Sequence, residues 1–301
     1  MFRAVGLALL WIGCDQALGL EREVPPAVCG PFAEPTLVPV HPELVDAHDF
    51  SVDSSGLRGM IYAMFPRTGG RLTGVHAIKL EGGMWRGDTA RDNGAINSLD
   101  GGHIAEDNAA VGWIVKEGQD LPEVREYTFS TVNSMWGQGS SGVVDPLQGQ
   151  TSTAGNLIVL PYGTSTIRFM VTILMSDTLA TPNTMRIFQL APTRPTWELT
   201  PQADPLKTSR AKVNPSAGVM TADHGALVYA AKVGSSMISR LFASARERDE
   251  FAHGPELRID GVESDADLTE PWINADCSVL YFRRDGATWM ATAVDDPGAG
   301  P

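Results

Sequence analysis

Apolar and polar positions alternate in short bursts along most of this chain. Clear apolar or alternating runs occur at Gly59–Met64, Val111–Val115, Leu157–Leu160, Ile167–Leu174, Ala226–Ala230, Val279–Phe282 and Thr288–Val294. Each is four to eight residues long, and turn residues separate them, which is the pattern of strands and turns. Helix-length amphipathic patterns are almost absent from residue 32 onward. The one charged helical candidate, Ala243 to Glu250, is short. Many short strands at even spacing predict a sandwich, a barrel or a propeller.

Self-similarity narrows that choice. Thr221-Ala222-Asp223-His224-Gly225 leads into Ala226-Leu227-Val228-Tyr229, and Asn274-Ala275-Asp276-Cys277-Ser278 leads into Val279-Leu280-Tyr281-Phe282. Both are a polar turn on an Asp followed by a strand with an aromatic end. The two Asps are 53 positions apart. Upstream, Asp53 precedes Met60-Ile61-Tyr62 and Asp107 precedes Val111-Gly112-Trp113, at a spacing of 54. A worn middle unit is read at Thr153-Ala154-Gly155-Asn156 before Leu157-Ile158-Val159. Five units of about 54 residues fill residues 32–301. Such a unit holds four short strands with their turns. The expected fold is all-β, a β-propeller of five four-stranded blades, with six as the alternative. Asp or Asn followed by Gly suits the hairpins, because both tolerate a left-handed backbone. The last unit has Cys277 where Gly is expected.

Thr269-Glu270-Pro271-Trp272-Ile273 through Phe282 resembles a TolB-type propeller repeat, and Asn214-Pro215 through Tyr229 resembles a second copy. Phe251-Ala252-His253-Gly254-Pro255-Glu256-Leu257 is similar to the strand that precedes such a repeat, and Phe32-Ala33-Glu34-Pro35-Thr36-Leu37 repeats it near the N-terminus. The resemblance covers 197–294 and 32–64, and fades over 65–196. It implies a propeller outside the cytoplasm or tethered to the envelope, used for binding, and it brings no catalytic residues.

The phase of the repeat makes Phe32–Val40 the outermost strand of a blade completed by C-terminal strands, which pairs the chain ends and removes an exposed edge. Cys277 then falls at the first-to-second turn of that blade, and Cys29 just before its fourth strand. A Cys29–Cys277 bridge is one reading, and two unrelated thiols are the other.

The N-terminus reads as an address. Met1-Phe2-Arg3 carries one positive charge, and Ala4 to Gly13 is apolar. Ten residues are too few to span a bilayer, which takes about 20, but they suit a signal-peptide core. Trp11-Ile12-Gly13-Cys14 resembles a bacterial lipobox, with Trp11 where Leu is usual, and this makes Cys14 the lipidation site. Cleavage after Ala17-Leu18-Gly19 is the alternative. The expected organisation is a signal peptide over 1–13, a tether over 14–31 and a propeller over 32–301, exported and held to the envelope by the N-terminal lipid, or secreted.

The net charge of −13 lacks the clustered Lys and Arg that nucleic acid requires. The six histidines are scattered, with no i,i+4 pair and no nearby Cys, so no metal and no cofactor are expected. Gly137-Gln138-Gly139-Ser140-Ser141-Gly142 fits the dinucleotide fingerprint in letters, but Val143-Val144-Asp145-Pro146 opens no helix after it, so it reads as a glycine-rich blade loop. Glu263-Ser264-Asp265-Ala266-Asp267 reads as a solvated loop between blades in preference to a calcium loop. His48-Asp49 and His103 with Glu106-Asp107 occupy equivalent places in two units. They are candidates to line a central channel, although polar turn residues are the plainer assignment. Trp85 and Trp136 stand beside Gly and are the candidate exposed aromatics for a ligand.

Two functions follow. The favoured one is a non-catalytic, monomeric binding or scaffold propeller for an envelope protein, peptide or glycan. The other is a glycan-active hydrolase using axial carboxylates, for which Asp49, Asp53, Glu106, Asp107 and Asp223 are available. Two inner-strand carboxylates facing each other would favour the second.

Overall fold

The computed structural model describes residues 29–294 apart from 54, 68–69, 107–108, 116–121, 144–153, 160–167, 175–183, 191–198, 204–212, 221–224, 248–249, 252–253 and 275. Between 139 and 218 only the backbone is described. The expected signal peptide, Cys14 and most of the tether lie outside the described residues.

Among the described residues, twenty strands form five four-stranded antiparallel sheets. The first holds β2 (Val45–Val52), β3 (Arg58–Arg67), β4 (Gly70–Glu81) and β5 (Met84–Gly87). The second holds β6 (Gly101–Glu106), β7 (Ala109–Val115), β8 (Pro122–Ser130) and β9 (Met135–Val143). The third is β10 (Ala154–Val159), β11 (Arg168–Leu174), β12 (Thr184–Leu190) and β13 (Leu199–Ala203). The fourth is β14 (Val213–Met220), β15 (Ala226–Val233), β16 (Arg240–Glu247) and β17 (Glu250–Phe251). The last runs β18 (Leu268–Ile273), β19 (Val279–Arg284), β20 (Ala287–Thr292) and then β1 (Thr36–Leu37) from the other end of the chain. One short helix, α1 (Gly94–Asn97), joins the first two sheets, with Asn93 Oδ1 accepting from the Ala95 amide at 3.0 Å. The fold is a β-propeller.

Four-residue units of turn chemistry set the register. Arg284 pairs with Ala287 across Asp285 (φ 53°) and Gly286 (φ 76°), and Glu81 pairs with Met84 across Gly82 and Gly83. Two-residue loops with both φ positive match the twist of the strands they join. The turn between first and second strands recurs in detail. Asp53 Oδ1 accepts from the Arg58 amide at 3.3 Å, and Asn274 Oδ1 accepts from the Val279 amide at 2.8 Å, five residues on in both cases. Gly56 (φ 69°) and Cys277 (φ 60°) then occupy the same left-handed place. The Cys that breaks the glycine pattern therefore keeps the glycine conformation.

Its sulfur is bonded to that of Cys29, across 248 residues of chain. Beside this bond, Thr36 pairs with Met290 and Leu37 with Trp289, and the Val38 amide donates to the Thr288 carbonyl. The next residues leave β20 for β5, where the His41 amide donates to the Trp85 carbonyl and the Trp85 amide to the Pro39 carbonyl. One N-terminal segment thus stitches the last sheet to the first.

Three expectations are corrected. The helical candidate Ala243 to Glu250 falls largely on strand β16, whose residues Leu241–Ser244 are buried between neighbours. Burial on both faces erases the period-2 signal that would mark a strand. The glycine-rich run Gly137–Gly142 is part of strand β9, not a loop. In the third unit, Thr153-Ala154-Gly155-Asn156 is not the hairpin turn, because Ala154–Val159 is itself the first strand and the second begins at Arg168. The second strands start at 58, 109, 168, 226 and 279, so the period holds while the middle unit lies one strand away from its expected phase.

Among the described residues, two apolar clusters pack between sheets. The larger includes Phe32, Phe50, Trp85, Leu227, Tyr229, Trp272 and Phe282. The smaller lies between the first two sheets around Met60, Ile96, Tyr127 and Trp136. Behind it sits a buried polar knot, with His76 Nδ1 3.0 Å from Asp92 Oδ2 and Asn97 Nδ2 donating to Asp92 Oδ1 at 2.6 Å. Burial of such groups requires this mutual satisfaction.

Candidate functional site

The first strands of the last and first sheets, β18 and β2, lie side by side, and both are irregular. The β2–β3 register shifts between Val45 and His48 and again between His48 and Ser51, and the β18–β19 register shifts between Thr269 and Trp272. Pro271 falls inside that last shift and has no N–H to give to a ladder, which is where strands tolerate a proline. Bulges re-aim side chains. Here Asp49 (φ 55°) and Glu270 (φ 50°) are both left-handed non-glycine residues, a conformation that costs free energy and has to be held by its surroundings.

The two bulges bring His48, Asp49 and Glu270 together, and one donor atom from each lies within 4.8 Å of the others. Glu270 is the hub. Its Oε1 accepts from Arg283 Nη1 at 3.1 Å, its Oε2 accepts from the Asp49 amide at 3.2 Å, and His48 Nδ1 stands 4.0 Å from the same Oε2. His48 Nδ1 is buried and makes no hydrogen bond among the described residues. The His48 ring lies against Tyr62 on β3, with centroids 4.8 Å apart.

Burial, reinforced by the neighbouring Glu270 carboxylate and opposed by Arg283, pushes the Asp49 carboxyl up to about 7. Burial pulls the His48 imidazole below its usual value, against the raising influence of Glu270. Tyr62 is raised by burial and by Asp100 and Asp49. The seam therefore combines a carboxyl raised by burial, Asp49, with the Arg283–Glu270 ion pair.

The structure distributes the candidates from the sequence unevenly. His48 and Asp49 join the seam, on a strand and not in a hairpin turn. His103 lies in β6 and is 4% exposed, stacked on Trp272 at 5.3 Å with rings 7° apart, and burial pushes its imidazole down to about 4. It packs in the core instead of lining a channel. Glu106 ends β6, and its side chain lies outside the described residues, as does Asp107. Trp85 and Trp136 are 3% and 2% exposed, in edge contact with Phe50 and Phe129, so neither is a surface platform for a ligand. Gly87 lies with Trp85 on strand β5 and Gly137 with Trp136 on strand β9, while Gly82 and Gly83 form the turn before β5. In the acidic loop, Arg240 Nη1 donates to the Glu263 and Ala266 carbonyls, and Asp267 Oδ1 accepts from the Ser239 amide. That loop is a brace between sheets.

Glu270, Arg283 and Tyr62 are the site residues that the sequence pattern passed over. The available signal was a carboxylate and a proline set inside an otherwise apolar first strand, Leu268-Thr269-Glu270-Pro271-Trp272-Ile273.

No family model matches this chain, and no curated protein matches it. Among solved structures, it is similar to the GH43 endo-arabinanase from Bacillus licheniformis, at 9% identity and a TM-score of 0.48 over 85% of this chain and 95% of that one. It is also similar to the β-propeller domain of the Trilobed protease from Pyrococcus furiosus, at 11% identity and a TM-score of 0.39, over 79% of this chain and 65% of that one. A prolyl endopeptidase is matched at 10% identity and a TM-score of 0.39 over 85% of this chain, which spans only 35% of that enzyme.

Proposed function

We propose that this chain is an exported binding propeller, of the TolB-like lipoprotein kind, tethered through Cys14 and presenting the seam between its first and last sheets to a protein, peptide or glycan of the envelope. The observation that carries this reading is the way Glu270 is held. Arg283 and the Asp49 amide fix its two oxygens, and the Asp49 and His48 donor atoms lie within 4.8 Å. Glycosidase carboxylates stand about 5–5.5 Å or 6.5–9.5 Å apart across the bond they cleave. Here a carboxylate oxygen of Asp49 lies within 4.8 Å of one of Glu270, and the doubly held Glu270 carboxylate suits a fixed recognition point.

The contacts between successive first strands fit the five-blade arrangement proposed for this chain. Each first strand neighbours the next, β2 with β6, β6 with β10, β10 with β14, β14 with β18, and β18 with β2. The disulfide supports export, since such bonds persist in oxidising compartments.

One observation favours the hydrolase reading. Asp49 and Glu270 are two carboxyls on first strands, and Asp49 is held at about 7 beside Glu270. Pairs whose environments separate their proton affinities serve as acid and base.

One paired experiment decides. Full-length wild type and Glu270→Gln serve as baits for envelope extracts, and both are incubated with a panel of envelope glycans and arabinan. The binding reading expects a partner retained by wild type and lost by Glu270→Gln, with no sugar released. Release of reducing ends by wild type, abolished in both Asp49→Asn and Glu270→Gln, would replace it with the hydrolase.

A further inference from the structure

We infer that His48, Asp49 and Glu270 together form a binding site for one divalent first-row transition ion of the zinc type, held by one imidazole nitrogen and two carboxylates. The inference deepens the reading of this seam as a recognition point and rests on it for its biological use, though not for its chemistry.

The donor set is mixed, and this decides the class of ion. Two carboxylates alone would suit a hard cation such as calcium, which takes oxygen ligands. An imidazole nitrogen beside two carboxylates suits zinc and its neighbours. Bonds of about 2.0–2.2 Å to nitrogen and oxygen place the donors of one ion roughly 3–4 Å apart. His48 Nδ1 and Glu270 Oε2 are already 4.0 Å apart, and all three donors lie within 4.8 Å. Three protein donors leave the fourth position of a tetrahedral ion to water.

The available lone pairs agree. His48 Nδ1 is a buried atom without a hydrogen bond among the described residues, and it faces Glu270. Arg283 engages Oε1 of Glu270 and the Asp49 amide engages Oε2, which leaves Oε2 one acceptor direction. Arg283 thus acts as an outer partner that orients a ligand, the arrangement usual around bound metals. The charge count also fits. Two carboxylates and one guanidinium sum to −1 when ionised, so a divalent ion brings the seam to +1 without stranding a like-charged pair. His48 is 30% exposed and Glu270 18% exposed at the side chain, which leaves the ion a path from solvent.

The test is calorimetric titration of the full chain with zinc chloride alone, after removal of adventitious metal by a chelator, followed by cobalt substitution read in the visible spectrum. Wild type is expected to take up one equivalent saturably, with a cobalt band that shows nitrogen and oxygen ligation. His48→Ala and Glu270→Gln are each expected to weaken binding at least about tenfold, the loss that even outer-shell changes cause. His41→Ala should leave it unchanged, because His41 and Glu43 form an unrelated surface pair at 3.4 Å. Circular dichroism verifies that each variant is folded, and His48→Ala, at a partly exposed position, serves if Glu270→Gln is not. No saturable uptake, equal affinity in wild type and His48→Ala, or calcium bound as tightly as zinc would overturn the site. Partner capture that survives chelation and depends on Glu270 would overturn the ion's part in recognition while leaving the binding function. Zinc uptake by a chain that hydrolyses glycans would do the reverse.

Discussion

Strand β15 and the seam between β2 and β18 are built from the same kind of element and put it to opposite uses. In β15, Ala226 to Ala231 are all buried, Leu227, Val228 and Tyr229 completely, and the register to β16 runs without a shift. At the seam the registers shift three times, three non-glycine residues (Asp46, Asp49 and Glu270) take left-handed backbones, and the side chains are His, Asp, Glu and Arg. Regular two-sided burial supplies the hydrophobic stabilisation. The seam draws on that stability to hold groups that would relax away from one another if free.

The comparison is broken most directly at β15. Leu227→Ala should destabilise the protein by about 2–5 kcal/mol in urea unfolding, because a fully buried side chain leaves a cavity. A loss below about 1 kcal/mol would mean that β15 is no firmer than the seam.

Reduction of Cys29–Cys277 comes next. The bond closes 248 residues, and its loss should cost on the order of 2–5 kcal/mol and lower the melting temperature. An unchanged midpoint with both thiols alkylated would show that β1 and β20 hold the ends unaided.

The third test sharpens the electrostatic side and uses chelated protein. The Asp49 carboxyl lies at about 7 when folded, above its unfolded value of 3.8, so the folded state binds the extra proton. Its contribution is present below about pH 4 and is lost as pH rises towards 7. His103 runs the other way. Its folded value of about 4 lies below 6.5, so stability is lost as pH falls from about 6.5 to 4. Asp49→Asn should therefore raise stability at pH 8 by about 1 kcal/mol or more and change little at pH 4. His103→Phe, which keeps an aromatic ring against Trp272, should flatten the acid limb. Parallel pH profiles for wild type and Asp49→Asn would remove the raised carboxyl from the account.

The smallest effect is expected at the β19–β20 hairpin. Asp285→Ala places a residue without a local hydrogen-bonding side chain at φ 53° and should cost about 1 kcal/mol, with no change in zinc uptake.

Much of the architecture was legible in the residues. The turn that reads Asp53 to Gly56 and again Asn274 to Cys277 announced its period, because a left-handed turn position admits few residue types. The middle unit departs from its expected phase, since Gly155 and Asn156 look like a turn in letters while the strand runs through them. Trp85 and Trp136 were misplaced for a related reason. A neighbouring glycine signals an open loop and a tightly packed strand alike.

The sequence by itself determined the repeat, the all-β class and the pairing of the chain ends, because those follow from local turn chemistry and from periodicity over a few residues. The tertiary structure alone decided the site. His48 and Glu270 are separated by more than two hundred positions, and their meeting depends on two bulges in strands from different sheets. No local pattern encodes a distance that exists only once the last sheet has been laid beside the first.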